Sequence, residues 1–328
     1  MRLRRVSVSS PGYSRRPKGD GWVYLDVDGA PLADEDEVAR CTRLAIPPAW
    51  TDVWICRFPE GHIQAFGRDD AGRGQYLYHE QWRARRARHK HDHVLDVGRR
   101  LPAARRGVTR DLARPGMDRR AVLALAFRLL DEAYFRAGGE IYAKRHGSYG
   151  LATIRKEHAT VRRDGSVHFR YPAKSGQLRD VLVEDPVVAG MVTTLKRRRG
   201  GPDLLAWRES ADDGRVRWHD VGSADVQADI KDRLGEDATP KDFRTWHATV
   251  LTAQALADAG PPPGSQRARR RVVTRIVRDV AEELGNTPAV ARSSYIDPRL
   301  FDLWEHGETI TPTRTRSRAE RAVLDLLG

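Results

Sequence analysis

The feature that most constrains the fold is a change of hydrophobic period near Glu80. Before it, GWVYLDVDGAPL (residues 21–32) and HIQAFGRDDAGRGQYLYH (62–79) alternate apolar and polar side chains around Asp/Gly-rich turns, the pattern of half-buried antiparallel strands. EDEVARCTRLAIPPAW (35–50) reads as a short helix stopped by Pro47 and Pro48, which cannot donate backbone hydrogen bonds. After Glu80, EQWRARRARHKHDHVLDVGRRL (80–101) is a polar helical connector, which sets a domain boundary at residue 90. DRRAVLALAFRLLDEAYFR (118–136) carries an apolar stripe at 3.6 spacing and predicts a core helix. ATVRRDGSVHFRYPAKSGQLRDVLV (159–183) has turns at Asp164-Gly165 and at Lys174-Ser175-Gly176, which predict a three-stranded antiparallel sheet. The rest reads as helices over 188–199, 223–234, 241–258, 265–284, 288–295 and 317–327. The expected class is therefore α+β: a small antiparallel β-rich domain (1–90) and a larger, mainly α domain (91–328).

Charge narrows the partners. The 328 residues hold 58 Lys and Arg against 45 Asp and Glu, a net charge of +13, spread through almost every segment. That balance favours a polyanion over an acidic small molecule. Mean hydropathy is −0.62 and no apolar run approaches the roughly 20 residues of a spanning helix, so nucleic acid leads and a membrane surface follows. The basic start MRLRRVSVSSPGYSRR lacks an apolar stretch and does not read as a secretory signal, so a cytoplasmic location is expected. Two cysteines, Cys41 and Cys56, supply neither a disulfide framework nor a thiolate metal cluster.

Motifs for nucleotide-driven work, zinc hydrolysis and serine-esterase chemistry are missing. In HKHDH, His89 and His93 would share a helix face, but without supporting carboxylates they read as solvated or phosphate-facing, and no metal or other cofactor is expected. What remains is a set of cationic segments around a late tyrosine. Without a metal, the charge that develops on a phosphodiester must be met by Arg forks and neutral donors.

Four segments in order, TDVWICRFPEGHIQAFGRDDAGRGQYLYH, FRAGGEIYAKRHGSYGLATIRKEH, KDFRTWHATV and LGNTPAVARSSYIDP, resemble those of type IB DNA topoisomerases of the poxvirus and small bacterial kind, over about residues 10–300. The resemblance implies a catalytic fold like that of tyrosine recombinases and topoisomerases IB, with double-stranded DNA as partner and a monomer as the working form. It implies relaxation of supercoils of both signs, without ATP or metal, through a 3′-phosphotyrosyl intermediate. It also implies the residues: Tyr295 as nucleophile, assisted by Arg136, Lys174, Arg244 and Asn286.

Each position is read beside its plainer alternative. Arg136 ends the predicted helix, either as a surface arginine or as a fork on a phosphate. Lys174 sits at a hairpin tip, either merely solvated or able to protonate the leaving 5′-oxygen. Arg244 follows Asp242 in a helix opened by Thr239-Pro240, either salt-bridged or gripping phosphate. Asn286 precedes an N-cap and N1 pair, Thr287-Pro288; some relatives, including the poxvirus enzymes, carry His there, and an amide can donate but cannot shuttle a proton. Tyr295 closes a short helix nine positions later, either as a cap or as a nucleophile whose phenol needs nearby positive charge. Relatives read FRVGNE where this chain has FRAGGE, so Gly139 is expected to loosen the turn. In the first domain, Arg68, Arg73, Gln75, Tyr76 and Tyr78 share one extended hairpin suited to a DNA backbone, with half-core tyrosines as the alternative. KRRR (196–199) and RARRR (267–271) read as nonspecific phosphate contacts or solvated faces.

Two rivals stand beside this reading. A tyrosine recombinase uses similar groups, but usually has His three positions before the second arginine, where this chain has Lys241. A non-catalytic DNA-binding protein would need only the charge.

Overall fold

The first ninety residues form five strands, one short helix and the start of a second in a computed structural model that describes residues 2–210 and 215–328. The chain divides into two compact units, Met1–Lys90 and His91–Gly328. In the first, β1 (Ser14–Lys18) pairs antiparallel with β2 (Gly21–Leu25). The expected hairpin inside GWVYLDVDGAPL is thus displaced: β2 pairs backward, through a turn at Gly19 (φ 57°), and only Leu25 bridges forward to Pro31. The glycine turn suits the left-handed conformation, and Pro31 has no N–H with which to extend a ladder. Helix α1 (Glu35–Arg43) starts where the Asp34 carboxylate accepts from the Asp36 and Glu37 amides. The sheet β3 (Thr51–Ile55), β4 (Ile63–Arg68) and β5 (Gly74–Tyr78) is antiparallel in that order. Tyr24, Cys41, Ile46, Ile55 and Ala65 form the small core between α1 and the strands.

The expected connector is longer than its polar pattern suggests: α2 runs Glu80–Leu112, through Pro102. From His91 onward one face is buried through Val94, Val97, Leu101 and Val108, and that packing offsets the hydrogen bond Pro102 cannot make. Gly98 is required on that face, because a Cβ there would stand 2.7 Å from the Trp246 indole. Helix α3 (Arg119–Ala133), capped by Asp118, is the core helix. It stops three residues before the expected end at Arg136, because Tyr134 turns left-handed at φ 55°. Helix α4 (Glu140–His146) precedes the sheet β6 (Ala159–Val161), β7 (Val167–Pro172) and β8 (Leu178–Val183), antiparallel in sequence order as expected.

Helix α5 (Pro186–Arg197) leads to a hairpin, β9 (Ala206–Ser210) with β10 (Val216–Asp220), that the helical reading of this region missed. These strands carry little apolar alternation of their own, AWRES and VRWHD, so no period announces them. Then come α6 (Ser223–Leu234), α7 (Pro240–Ala259), α8 (Gln266–Leu284), α9 (Pro288–Ser294), α10 (Arg299–Glu305) and α11 (Arg316–Leu327). Pro298 lies just past the end of α9 and caps α10, consistent with proline's tolerance in a first helical turn. The core is built on α3 and α7, where Phe127 meets Phe243 edge-on at 5.0 Å and Trp246 is fully buried. No helix among the described residues is long and apolar enough to cross a membrane.

Candidate active site

The site is assembled on the open carbonyls at two helix ends. The last carbonyls of a helix lack intrahelical partners and carry its negative dipole end, so they attract cations. Three successive carbonyls finishing α8 each take one guanidinium: Glu283 O accepts from Arg179 Nη2 at 2.9 Å, Leu284 O from Arg244 Nη2 at 2.7 Å, and Gly285 O from Arg136 Nη2 at 2.9 Å. The end of α3 supplies the second set. Ala133 O accepts from Arg179 at 3.3 Å, and Tyr134 O accepts from Arg244 Nη1. Among the described residues the hydrogen-bond partners of these three arginines are carbonyls, one amide and, for Arg244, the Tyr295 phenol, with no carboxylate bound directly, although Glu283 attracts Arg179 from nearby.

Arg136 also donates to Asn286 Oδ1 at 2.5 Å, which turns the amide nitrogen the other way. That Nδ2 is buried without a hydrogen-bond partner, as is Arg244 Nε, so two donors remain unspent. Tyr295 caps α9 with its ring 5.1 Å from the Arg244 guanidinium and 5.8 Å from Lys241 Nζ. Arg136, Lys241, Arg244 and Tyr295 line one cleft of about 560 Å³.

The electrostatics follow from that crowding. Burial pushes the Tyr295 phenol up, but Arg244 foremost, then Arg136 and Lys241, outweigh burial and hold it below its ordinary value. Burial and the neighbouring Arg136 bring Arg244 down to about 10. Tyr171, more deeply enclosed, goes the opposite way, pushed up to about 12 by burial. Phenols near the same arginines thus differ in sign, and only Tyr295 is placed to ionise readily.

The backbone around the site is tightly held. Gly138 (φ 80°) and Gly150 approach so closely that a Cβ on Gly150 would lie 2.5 Å from Gly138 Cα, and the Leu151 and Ala152 amides donate to Arg136 O and Ala137 O at 2.8 Å. Gly138, not Gly139, therefore carries the left-handed turn. Gly139 is extended (φ −150°) and caps α4 without a side-chain bond, so the expected loosening of the turn reduces to a missing cap. The HKHDH histidines brace the site: His93 Nε2 meets Asp242 at 3.2 Å, and His91 Nδ1 lies 3.8 Å from Asp297, two residues after the phenol. Asp242 is also bound to Thr239, which corrects the salt-bridge alternative for Arg244. No group of three or more metal-binding side chains occurs among the described residues.

Of the five expected residues, Arg136, Arg244, Asn286 and Tyr295 come together, although Arg136 lies beyond the helix rather than in it. Lys174 stands on the exposed tip between β7 and β8 and does not line the cleft. Two further cations were missed. Lys241 was weighed only as a contrast to histidine, and Arg179 shares the inner face of β8 with Val181 and Val183, an arginine at a core position that strand parity alone could have flagged. In the first unit, Tyr76 and Tyr78 do share a face, stacked at 5.8 Å with Tyr76 exposed. Arg73 and Gln75 fold back on Asp69, whose carboxyl these bonds hold down at about 2, and Arg68 bonds Gly72 O.

Comparison with known proteins bears on the chain as a whole. Residues 21–69 match the family model for the N-terminal domain of bacterial DNA topoisomerase IB, and residues 79–306 match that for the catalytic core of eukaryotic DNA topoisomerase I. DNA topoisomerase 1B of Acanthamoeba polyphaga mimivirus is 28% identical over 298 residues, covering 90% of this chain and 88% of that protein. With the core match spanning well over half its length, the chain belongs to the type IB DNA topoisomerases, the isomerases that relax supercoiled DNA.

Proposed function

We propose that this enzyme relaxes duplex DNA through a covalent link on Tyr295. The phenolate oxygen attacks a backbone phosphorus; the new O–P bond forms as the bond to the 5′-oxygen breaks, leaving a 3′-phosphotyrosyl enzyme and a free 5′-hydroxyl. The phenol's proton leaves to water or to a substrate oxygen, and the Lys174 ammonium gives one of its protons to the departing 5′-oxygen. Arg136 and Arg244 grip the non-bridging oxygens, where guanidinium forks match phosphate geometry, and Asn286 Nδ2 adds a neutral donor. The phosphotyrosine keeps the bond energy, so religation reverses the step without ATP or metal once the free end has rotated.

One observation carries this reading: a phenol held below its ordinary value beside arginines whose charge no carboxylate cancels. A dianionic transition state is the partner such a cluster lacks. We extend the reading to a recombinase-like fold for residues 91–328 and to a clamp domain at 1–90, whose Tyr76 and Tyr78 face, with Arg68, Arg73 and Gln75, contacts the duplex. A monomer acting on DNA in the cytoplasm, associated with the nucleoid, completes it. The test is relaxation of supercoiled plasmid in EDTA. The wild-type chain should relax it and form an SDS-trapped adduct, and Tyr295→Phe should do neither; relaxation by Tyr295→Phe contradicts the assignment.

A further inference from the structure

Of the non-glycine residues described at positive φ, Ala45, Asp52 and Tyr134, only Tyr134 (φ 55°) lies in the second unit. L side chains avoid that region, so a residue persists there only where its surroundings hold it. Tyr134 is held at both ends. Its carbonyl accepts from Arg244 Nη1, and its ring packs on His247 with centroids 5.0 Å apart. His247 stands three residues after Arg244 on α7 and is itself fixed: its Nε2 lies 3.0 Å from Asp131 Oδ1, and Asp131 is bound as well by Arg105 (2.7 Å) and Arg316 (2.7 Å). The carbonyl just before, Ala133 O, takes Arg179.

We propose that Tyr134 is a positioning residue for strand cleavage: its ring, braced on His247, holds the left-handed turn whose carbonyl aims the Arg244 guanidinium at the scissile phosphate. A helix that simply continued past Ala133 would turn this carbonyl away and leave one edge of Arg244 unheld. The proposal rests on reading Arg244 as a phosphate-gripping group, and it assigns the aromatic ring, not the hydroxyl, the structural part.

The test is single-turnover cleavage of a duplex by the full chain, with DNA affinity measured separately. Tyr134→Phe keeps the ring and is expected to cleave at the wild-type rate. Tyr134→Ala is expected to slow cleavage by roughly 10- to 100-fold, the scale of a small misplacement of a catalytic group, with affinity unchanged. In an Arg244→Ala background, followed over hours, Tyr134→Ala should add almost nothing, because the group it positions is gone. The same slowing in both backgrounds, or a lowered Tm with unchanged cleavage, would overturn the proposal. Should Tyr134→Ala not fold, Tyr134→Leu keeps an apolar side chain of similar reach and removes the ring. Slowed cleavage by that variant supports the assignment, and a wild-type rate overturns it. A wild-type chain that fails to cleave sinks the reading of Tyr295 and Arg244 instead, so the two failures are distinguishable.

Discussion

Helix α7 borders two arginine clusters that solve the same electrostatic problem in opposite ways. Around His247, Arg105 and Arg316 meet Asp131 and Glu320 at 2.6–3.1 Å, so two cations face two anions. One turn earlier, Arg244 joins Arg136 and Arg179 on carbonyls, with Lys241 nearby and no carboxylate among their described hydrogen-bond partners. The first cluster is complete within the protein, and its charge serves to lock α2, α3, α7 and α11 together. The second is incomplete, and what it lacks is an anion of about phosphate size. Burying charge without a counter-charge costs stability, and such clusters gather at functional sites, which supports the proposal that the missing partner is the substrate phosphate.

The largest expected effect breaks the complete cluster. Asp131→Asn leaves Arg105 and Arg316 without their shared carboxylate and should cost about 3–5 kcal/mol of stability, read as a loss in chemical denaturation. Cleavage by the molecules that remain folded should change far less. Arg244→Ala should do the reverse: cleavage falls by roughly 100- to 1000-fold, as for loss of one preorganised donor, while denaturation midpoints move little. If both variants lose stability and activity in parallel, the contrast between the clusters is wrong.

Acidity separates them further. Against their burial, the bonds from His247 and Arg105 hold Asp131, and those from Arg105 hold Glu320, below the ordinary carboxyl range. Folded values below unfolded ones mean stability that is present above about pH 4 and lost as pH falls through the folded values, so Tm should drop on acidification, with a shallower slope in Asp131→Asn. The cleavage rate should titrate in the same direction but over a far more alkaline range. It rises with pH and levels off below the ordinary phenol value of 10.0, and Lys241→Met moves that inflection upward; an unmoved inflection would mean that Lys241 does not act on the phenol. The smallest effect is at the α4 cap, where Gly139→Asn should add a few tenths of a kcal/mol in thermal unfolding with no change in cleavage.

The elements that position the site were unequally legible. Tyr295 and Asn286 could be placed because Thr287-Pro288 announces a helix start and the short helix then sets the phenol at its far end. Arg244 could be placed on α7 but not oriented: adjacent Asp242 suggested an ion pair, whereas that carboxylate is taken by Thr239 and His93, a residue 149 positions away. Arg136 was assigned to a helix because its apolar stripe continues through Phe135; the helix ends early where tertiary contacts, Arg244 on Tyr134 O and His247 on the Tyr134 ring, meet the left-handed turn. The carbonyl row that gathers three arginines is backbone chemistry, to which no side-chain pattern points. Lys174 was legible as a hairpin tip, and a tip says nothing of where a bound duplex brings it.

The most direct measurement is the chemistry of the covalent adduct. A duplex cleaved once in EDTA, trapped with SDS and digested with protease, should yield a peptide joined through Tyr295 to the 3′-phosphate of the cut strand, and none from Tyr295→Phe. An adduct on another residue, or one attached through the 5′ end, would contradict the account.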